Sequence, residues 1–253
     1  MDYISLLDSA SNEKDFLELC KRMYTNSSSN TNTNDIEDNP IGNAMYYAIR
    51  RGYLEAAEYL HSIGQDTTIP MYIDFAAENG DLEMLKYLIS IGMECTDNCM
   101  NYASSMGHLE VVEYLHNIEK NGDSRAMSYA STNGHLDVVK YLHSIGNDCT
   151  DHAIDDASMN GHLEVIEYLF SIGKDCTPRA IDYASMNGHL EIVKYLHELG
   201  KECTNLAIDL ASQNGHLEVV KYLISIGKEF TDRSLESAKL IGHSHVVEFL
   251  ESL

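Results

Sequence analysis

An all-α helical-repeat solenoid is the fold that the sequence predicts, on three features. The tripeptide Gly-His-Leu returns at a period of 27 residues. Apolar residues between the returns fall at helical spacing. Stop signals interrupt that spacing twice in every period, as a pair of short helices requires.

Gly-His-Leu begins at Gly107, Gly134, Gly161, Gly188 and Gly215; Gly242 continues the series as Gly-His-Ser, and Gly80 opens it as Gly-Asp-Leu. Gly52, in Gly-Tyr-Leu, precedes Gly80 by 28 residues, a one-residue insertion. Cutting ahead of the first helix gives eight units: 42–69, 70–96, 97–123, 124–150, 151–177, 178–204, 205–231 and a truncated 232–253.

The unit 178–204 serves as the reference. Thr177 is placed to cap a helix and Pro178 to occupy its first position. Ala180, Ile181, Tyr183 and Ala184 form an apolar stripe, which Asn187-Gly188 ends. A second helix starts near His189, with Glu191 in the first turn, where the helix dipole favours an anion. Its expected buried face is Leu190, Ile192, Val193, Tyr195, Leu196 and Leu199, and Gly200 stops it. Gly64, Gly92, Gly146, Gly173 and Gly227 do the same elsewhere, and Glu119 breaks the column. Helices of about ten residues are unstable alone in water. Burial must therefore come from stacking unit on unit, which predicts an elongated array rather than a sphere. Alanine holds position seven of every unit, from Ala48 to Ala238, as expected where neighbouring helices approach too closely for a larger side chain.

Residues 1–24 read as a degenerate helix pair that caps the stack, and 25–41 as a low-complexity polar loop. The last unit carries Ser244, His245 and Glu251 where the others are more apolar, the polar outer face that a C-terminal cap needs.

The run ASMNGHLEIVKYLHELG and its relatives resemble the ankyrin repeat over residues 42–253. Two departures stand out. The usual unit of that family is longer, and the residues missing here fall in the connector, so projecting β-hairpin fingers should be absent or reduced to a tight loop. The family's T-P-L-H signature is replaced by Arg179-Ala180-Ile181-Asp182. Short-loop units of this kind are similar to those of giant amoeba-infecting viruses and some protists. The resemblance implies a protein-binding module whose partner lies on the concave face, lined by first-helix and connector positions.

Charge narrows the function. Against 40 acidic residues the chain sets 17 basic ones, a formal charge of −23. Phosphate contacts need clustered Lys and Arg, so nucleic acid and anionic membrane surfaces are poor partners. No apolar run approaches the roughly 20 residues of a spanning helix, and Met1-Asp2-Tyr3 does not open a signal peptide. These features point to a cytoplasmic protein, in the host cytoplasm if viral.

Histidine recurs after the inter-helix glycine, and cysteine in the connector at Cys95, Cys149, Cys176 and Cys203. One ligand per unit, a helix diameter apart, cannot share a metal ion or pair as disulfides. Cys95 and Cys99 lie closer, but a lone Cys-x3-Cys without a second pair is a weak signal for either. The cysteines read as small apolar plugs and the histidines as turn residues bonding to backbone. Position five (Asp74, Asp155, Asp182, Asp209 among others) reads as a hydrogen-bonded ladder, with an acidic ligand strip as the alternative. Asp156 interrupts a column of mostly Tyr, Phe and Leu, so that spot is either wet or partnered. No catalytic, cofactor or metal residue is assigned, since each glycine is used at a helix end rather than in a phosphate-cradling loop.

Position nine varies freely from unit to unit, as do positions one and two, so these columns escape the packing demand that fixes the rest. By resemblance they line the binding face. The candidate partner-binding residues are Ser105, Thr132, His152, Asp155, Asp156, Met159, Arg179, Met186 and Gln213, centred on a methionine patch at Met159 and Met186. The expected protein is a monomeric, non-enzymatic scaffold or adaptor whose protein partner carries basic patches. The alternatives are a small catalytic site at Asp155/Asp156 with His152, and a purely structural spacer.

Overall fold

The computed structural model describes residues 7–28, 42–65, 69–96 and 98–253, which divide into two compact units, Met1–Gly122 and Asp123–Leu253. Most of the expected polar loop, 29–41, lies outside the described residues, as does the start of the expected cap. Among the described residues the secondary structure is helical without strands, so the all-α helical-repeat class holds.

The first unit contains α1 (Glu13–Ser28) and three helix pairs: α2 (Gly42–Arg50) with α3 (Leu54–Ser62), α4 (Met71–Glu78) with α5 (Leu82–Ser90), and α6 (Asn98–Ser105) with α7 (Leu109–Asn117). Helix α1 lies against α3. Phe16 meets the Tyr53 ring with centroids 5.4 Å apart, and the Arg51 guanidinium donates to the Leu7 carbonyl at 2.9 Å. Tyr53 makes no side-chain cap on α3. Instead the Glu13 carboxylate accepts from the Glu55 N–H at 2.8 Å, satisfying one of the donors that a helix start leaves open.

The second unit contains five pairs: α8 (Ser124–Thr132) and α9 (Leu136–Ser144), α10 (Ala153–Asn160) and α11 (Leu163–Ser171), α12 (Arg179–Met186) and α13 (Leu190–Glu198), α14 (Leu206–Gln213) and α15 (Leu217–Ser225), α16 (Asp232–Ile241) and α17 (Ser244–Glu251). Within each unit the first helices of successive pairs pack closely and the second helices touch sparingly. The position-seven alanines permit that approach: Ala130, Ala157, Ala184, Ala211 and Ala238 are all fully buried. Second helices contribute Val or Ile pairs and a leucine, such as Ile192, Val193 and Leu196. Each such leucine is worth roughly 1.5–3 kcal/mol when fully buried. Leu190 and Tyr195 of the expected buried face are only half-buried, and Leu199 departs furthest, at 46 % exposure, because α13 has ended and residue 199 is already turning away.

Local signals act much as their chemistry dictates. Thr177 caps the reference helix, its hydroxyl oxygen accepting from the Arg179 N–H at 3.2 Å. Asp81 caps α5 by accepting from the Met84 N–H at 3.0 Å. The histidines that replace Asp81 in later repeats make no such cap, because their rings are engaged elsewhere.

Candidate partner-binding surface

A site on stacked helices depends on what fixes each repeat against the next, and three contacts do so. At position five, both Asp155 carboxylate oxygens are engaged across the seam: Oδ1 accepts from the Thr177 N–H at 2.9 Å and Oδ2 from its hydroxyl at 2.7 Å. Asp182 makes the same pair of bonds to Thr204, at 2.9 and 2.6 Å. Asp209 accepts from Thr231 at 2.9 Å and from Ser234, and Asp74 from Thr96 at 2.5 Å. In repeat 124–150 a neutral pair substitutes, Ser128 with Thr150 at 3.1 Å. Thr177 and Thr204 thus hold one repeat's carboxylate while their hydroxyl oxygens accept from an N–H at the start of the next repeat's first helix.

The second contact is the histidine after each glycine. His108 Nε2 donates to the Glu78 carbonyl at 2.9 Å and His189 Nε2 to the Met159 carbonyl at 3.1 Å. The histidines do bond to backbone, but to that of the preceding repeat. The third contact, made in some repeats, is an asparagine before the glycine: Asn160 Nδ2 donates to the Thr132 carbonyl at 3.0 Å and Asn187 Nδ2 to the Met159 carbonyl at 2.7 Å, whereas Asn214 Nδ2 turns back to the Leu210 carbonyl of its own helix at 2.9 Å. Open carbonyls at the end of one helix are therefore satisfied by side chains of the next repeat. Sequence reading had placed these asparagines only as helix stops. Their recurrence one period apart was the available signal.

On the second helices, tyrosine hydroxyls reach the rim and meet histidine: Tyr168 with His143 Nδ1 at 2.8 Å, and Tyr222 with His197 Nδ1 at 2.8 Å.

What these contacts leave open is the face of the first helices at positions two, six and nine, which share a helix side by their spacing of four and three. In the second unit that face carries Thr132, Met159, Met186 and Gln213, all half-buried, with His152 and Arg179 exposed. Tyr129 is 43 % exposed. Thr132 turns its hydroxyl back onto the Ser128 carbonyl at 2.9 Å. At Met159 the division is plain: the carbonyl is held by Asn187 and His189, whereas the side chain is left to vary.

Two predicted residues fall elsewhere. Asp155 is 1 % exposed and bonded to Thr177, with His152 Nδ1 at 3.4 Å, so it is a strut beneath the face and not a group on it. Neighbouring Asp156, about 100° further round the helix, is half-buried. Burial holds its carboxyl above the ordinary range, the Asp155 charge adds to this, and His152 opposes it. Ser105 lies on α6 in the first unit, half-buried and with an interaction of its own.

The connector cysteines are plugs only in part: Cys149 is buried, while Cys95, Cys176 and Cys203 are half-buried. Among the described residues no three His, Cys, Asp or Glu side chains gather closely enough to hold a metal ion, and no helix is long and apolar enough to cross a membrane.

A family model described as ankyrin repeats (three copies) matches residues 73–153 and again 154–234, together more than half of the chain. No curated protein matches the sequence significantly.

Proposed function

The chain belongs to the ankyrin-repeat family, and from that premise we propose that it is a non-enzymatic scaffold or adaptor. Repeats of this family are in general protein-binding modules and typically not enzymes. The partner would lie on the first-helix face of repeats 124–150 to 205–231, over Thr132, His152, Asp156, Met159, Arg179, Met186 and Gln213. One observation carries this reading: position nine changes residue type along the array, with methionine in two adjacent repeats, although side chains of the next repeat hold the backbone carbonyls of Thr132 and Met159. A fixed frame with variable, accessible side chains is what selection for a partner leaves behind.

Met159 and Met186 form the adaptable apolar centre, since a flexible thioether fits irregular partners. Polar and charged residues surround them, as at most protein interfaces. The net charge of −23 favours a partner with basic patches, through faster and more selective encounter. Six cysteines, all present as free thiols, suit a reducing cytoplasm. We take the protein to act there as a monomer.

The test replaces both methionines, Met159→Glu with Met186→Glu, in a quantitative pull-down from the native cell. A stoichiometric partner captured by the wild type should be lost, with the melting temperature unchanged. Equal capture by the variant would refute the assignment.

A further inference from the structure

In the first unit the chain lays a cation on its own first-helix face. Arg50, at position nine of repeat 42–69, holds its guanidinium 4.9 Å from the centroid of the Phe75 ring and 3.7 Å from the Glu78 carboxylate. Phe75 and Glu78 are positions six and nine of the following repeat. An apolar surface beside a carboxylate suits a guanidinium, which stacks on the one and pairs with the other.

The seam between repeats 124–150 and 151–177 is built in the same register. Asn79 Nδ2 donates to the Arg50 carbonyl at 3.0 Å, and Asn160 Nδ2 donates to the Thr132 carbonyl at 3.0 Å. Position nine of one repeat therefore stands against positions six and nine of the next at both seams. At the second seam these three positions hold Thr132, Asp156 and Met159. The arginine has given way to a short residue, whose hydroxyl is turned back onto the Ser128 carbonyl at 2.9 Å. The carboxylate has moved from position nine to position six, and a flexible apolar side chain stands where the acid was. Asp156 is half-buried, and no Lys or Arg among the described residues pairs with it. His152, on the same helix, lies 3.4 Å from Asp155 instead. The later seams of the second unit offer no acid at these positions: they hold Tyr183 and Met186, Leu210 and Gln213, and Ser237 and Leu240.

We propose that Asp156, with Thr132 and Met159 beside it, is the socket for one arginine side chain of the protein partner, in the place that Arg50 takes on the face of the first unit. The assignment rests on the scaffold reading above and gives that partner a definite feature, an exposed arginine. The Asp156 carboxylate accepts from the guanidinium, Met159 supplies the apolar contact, and the short Thr132 leaves the room. Arginine suits the socket better than lysine, because its planar fork pairs with a carboxylate through two bonds and gives up its hydration more readily in a half-buried place. Burial and the Asp155 charge both disfavour the Asp156 anion, and a bound guanidinium offsets both.

The test titrates full-length protein with N-acetyl-arginine amide and follows the Asp156 carboxyl carbon and the Met159 methyl by NMR. N-acetyl-lysine amide matches the probe in charge, and N-acetyl-citrulline amide matches it in shape without the charge. Both signals should shift saturably with the arginine amide, at a Kd about tenfold or more below that of either control. Asp156→Asn should weaken the Met159 response by a similar factor. Thr132→Arg should abolish it by filling the socket with the chain's own guanidinium. Equal responses to arginine and lysine, or a response that survives Thr132→Arg, would overturn the proposal. Pull-down separates the socket from the reading it rests on. A protein that binds the arginine amide in this way but captures no partner would refute the scaffold and leave the socket standing. A partner kept by Asp156→Asn but lost on Met159→Glu with Met186→Glu would refute the socket alone.

Discussion

Glu119 stands where other repeats place a glycine after the second helix, and its backbone keeps the left-handed conformation at φ 62°. The other left-handed positions among the described residues are glycines. A side chain in this region costs about 1–2 kcal/mol. Glu119→Gly should therefore stabilise the protein by about 1 kcal/mol in chemical denaturation, and a destabilising result would show that the carboxylate makes up the difference. Glycines at the two ends of a repeat are also unequal. Gly200, at φ 75°, has nothing within 4 Å of where a Cβ would sit. Gly188, at φ 78°, would place a Cβ 2.5 Å from Nδ1 of His216, whose ring holds the Met186 carbonyl. Gly200→Ala carries only the backbone penalty, whereas Gly188→Ala must also displace the imidazole. The Gly188 variant should lose at least about 1 kcal/mol more, from the broken hydrogen bond.

Between elements, the aspartate–threonine strut joins sequence to stacking most directly. Asp182 is 3 % exposed, and burial raises its carboxyl pKa while the two bonds from Thr204 oppose that rise. Thr204→Val removes the hydroxyl donor but keeps the shape and the backbone N–H. It should cost about 1–3 kcal/mol at neutral pH, the usual range for stranding a buried acceptor. The sign with pH follows from the raised value. The folded state binds the Asp182 proton more readily than the unfolded chain, so the contribution of this one group is fully present below the unfolded carboxylate range and is lost as pH rises through the folded pKa. Without the hydroxyl the folded pKa rises further. The variant's deficit should accordingly shrink as pH falls from neutral toward the ordinary carboxylate range, about pH 4. A deficit equal at both pH values would place the cost in packing instead. The same strut shows where sequence reading stops. Asp155 and Asp156 are adjacent and chemically identical on paper, yet one is a buried strut and the other half-exposed, because one step along a helix turns the side chain by about 100°.

At the scale of the whole chain, the period, the helix pairs, their stops and the alanine seam were legible, because each rests on residue types at fixed spacing. The cross-repeat role of histidine and asparagine was not, because their acceptors are backbone carbonyls, which every residue has and no letter marks. That hidden row has a collective consequence. Burial lowers the His162 and His216 pKa values; flanking imidazoles add to this, His135 and His189 for His162, and His189 and His243 for His216. Carbonyl bonds to Thr132 and Met186 oppose the shift, with Glu164 also opposing it at His162. Above about 6.5 both folded and unfolded chains hold these rings neutral, and the full stability is present. As pH falls, the unfolded chain takes up protons that the folded one resists, so stability declines until the pH passes the lowered folded values. His162→Gln with His216→Gln keeps an N–H for each carbonyl and removes the charge. The wild-type melting temperature should fall between about pH 7.5 and about pH 5.5, and the double variant should fall by less. An identical decline in both proteins would move the acid sensitivity away from these rings.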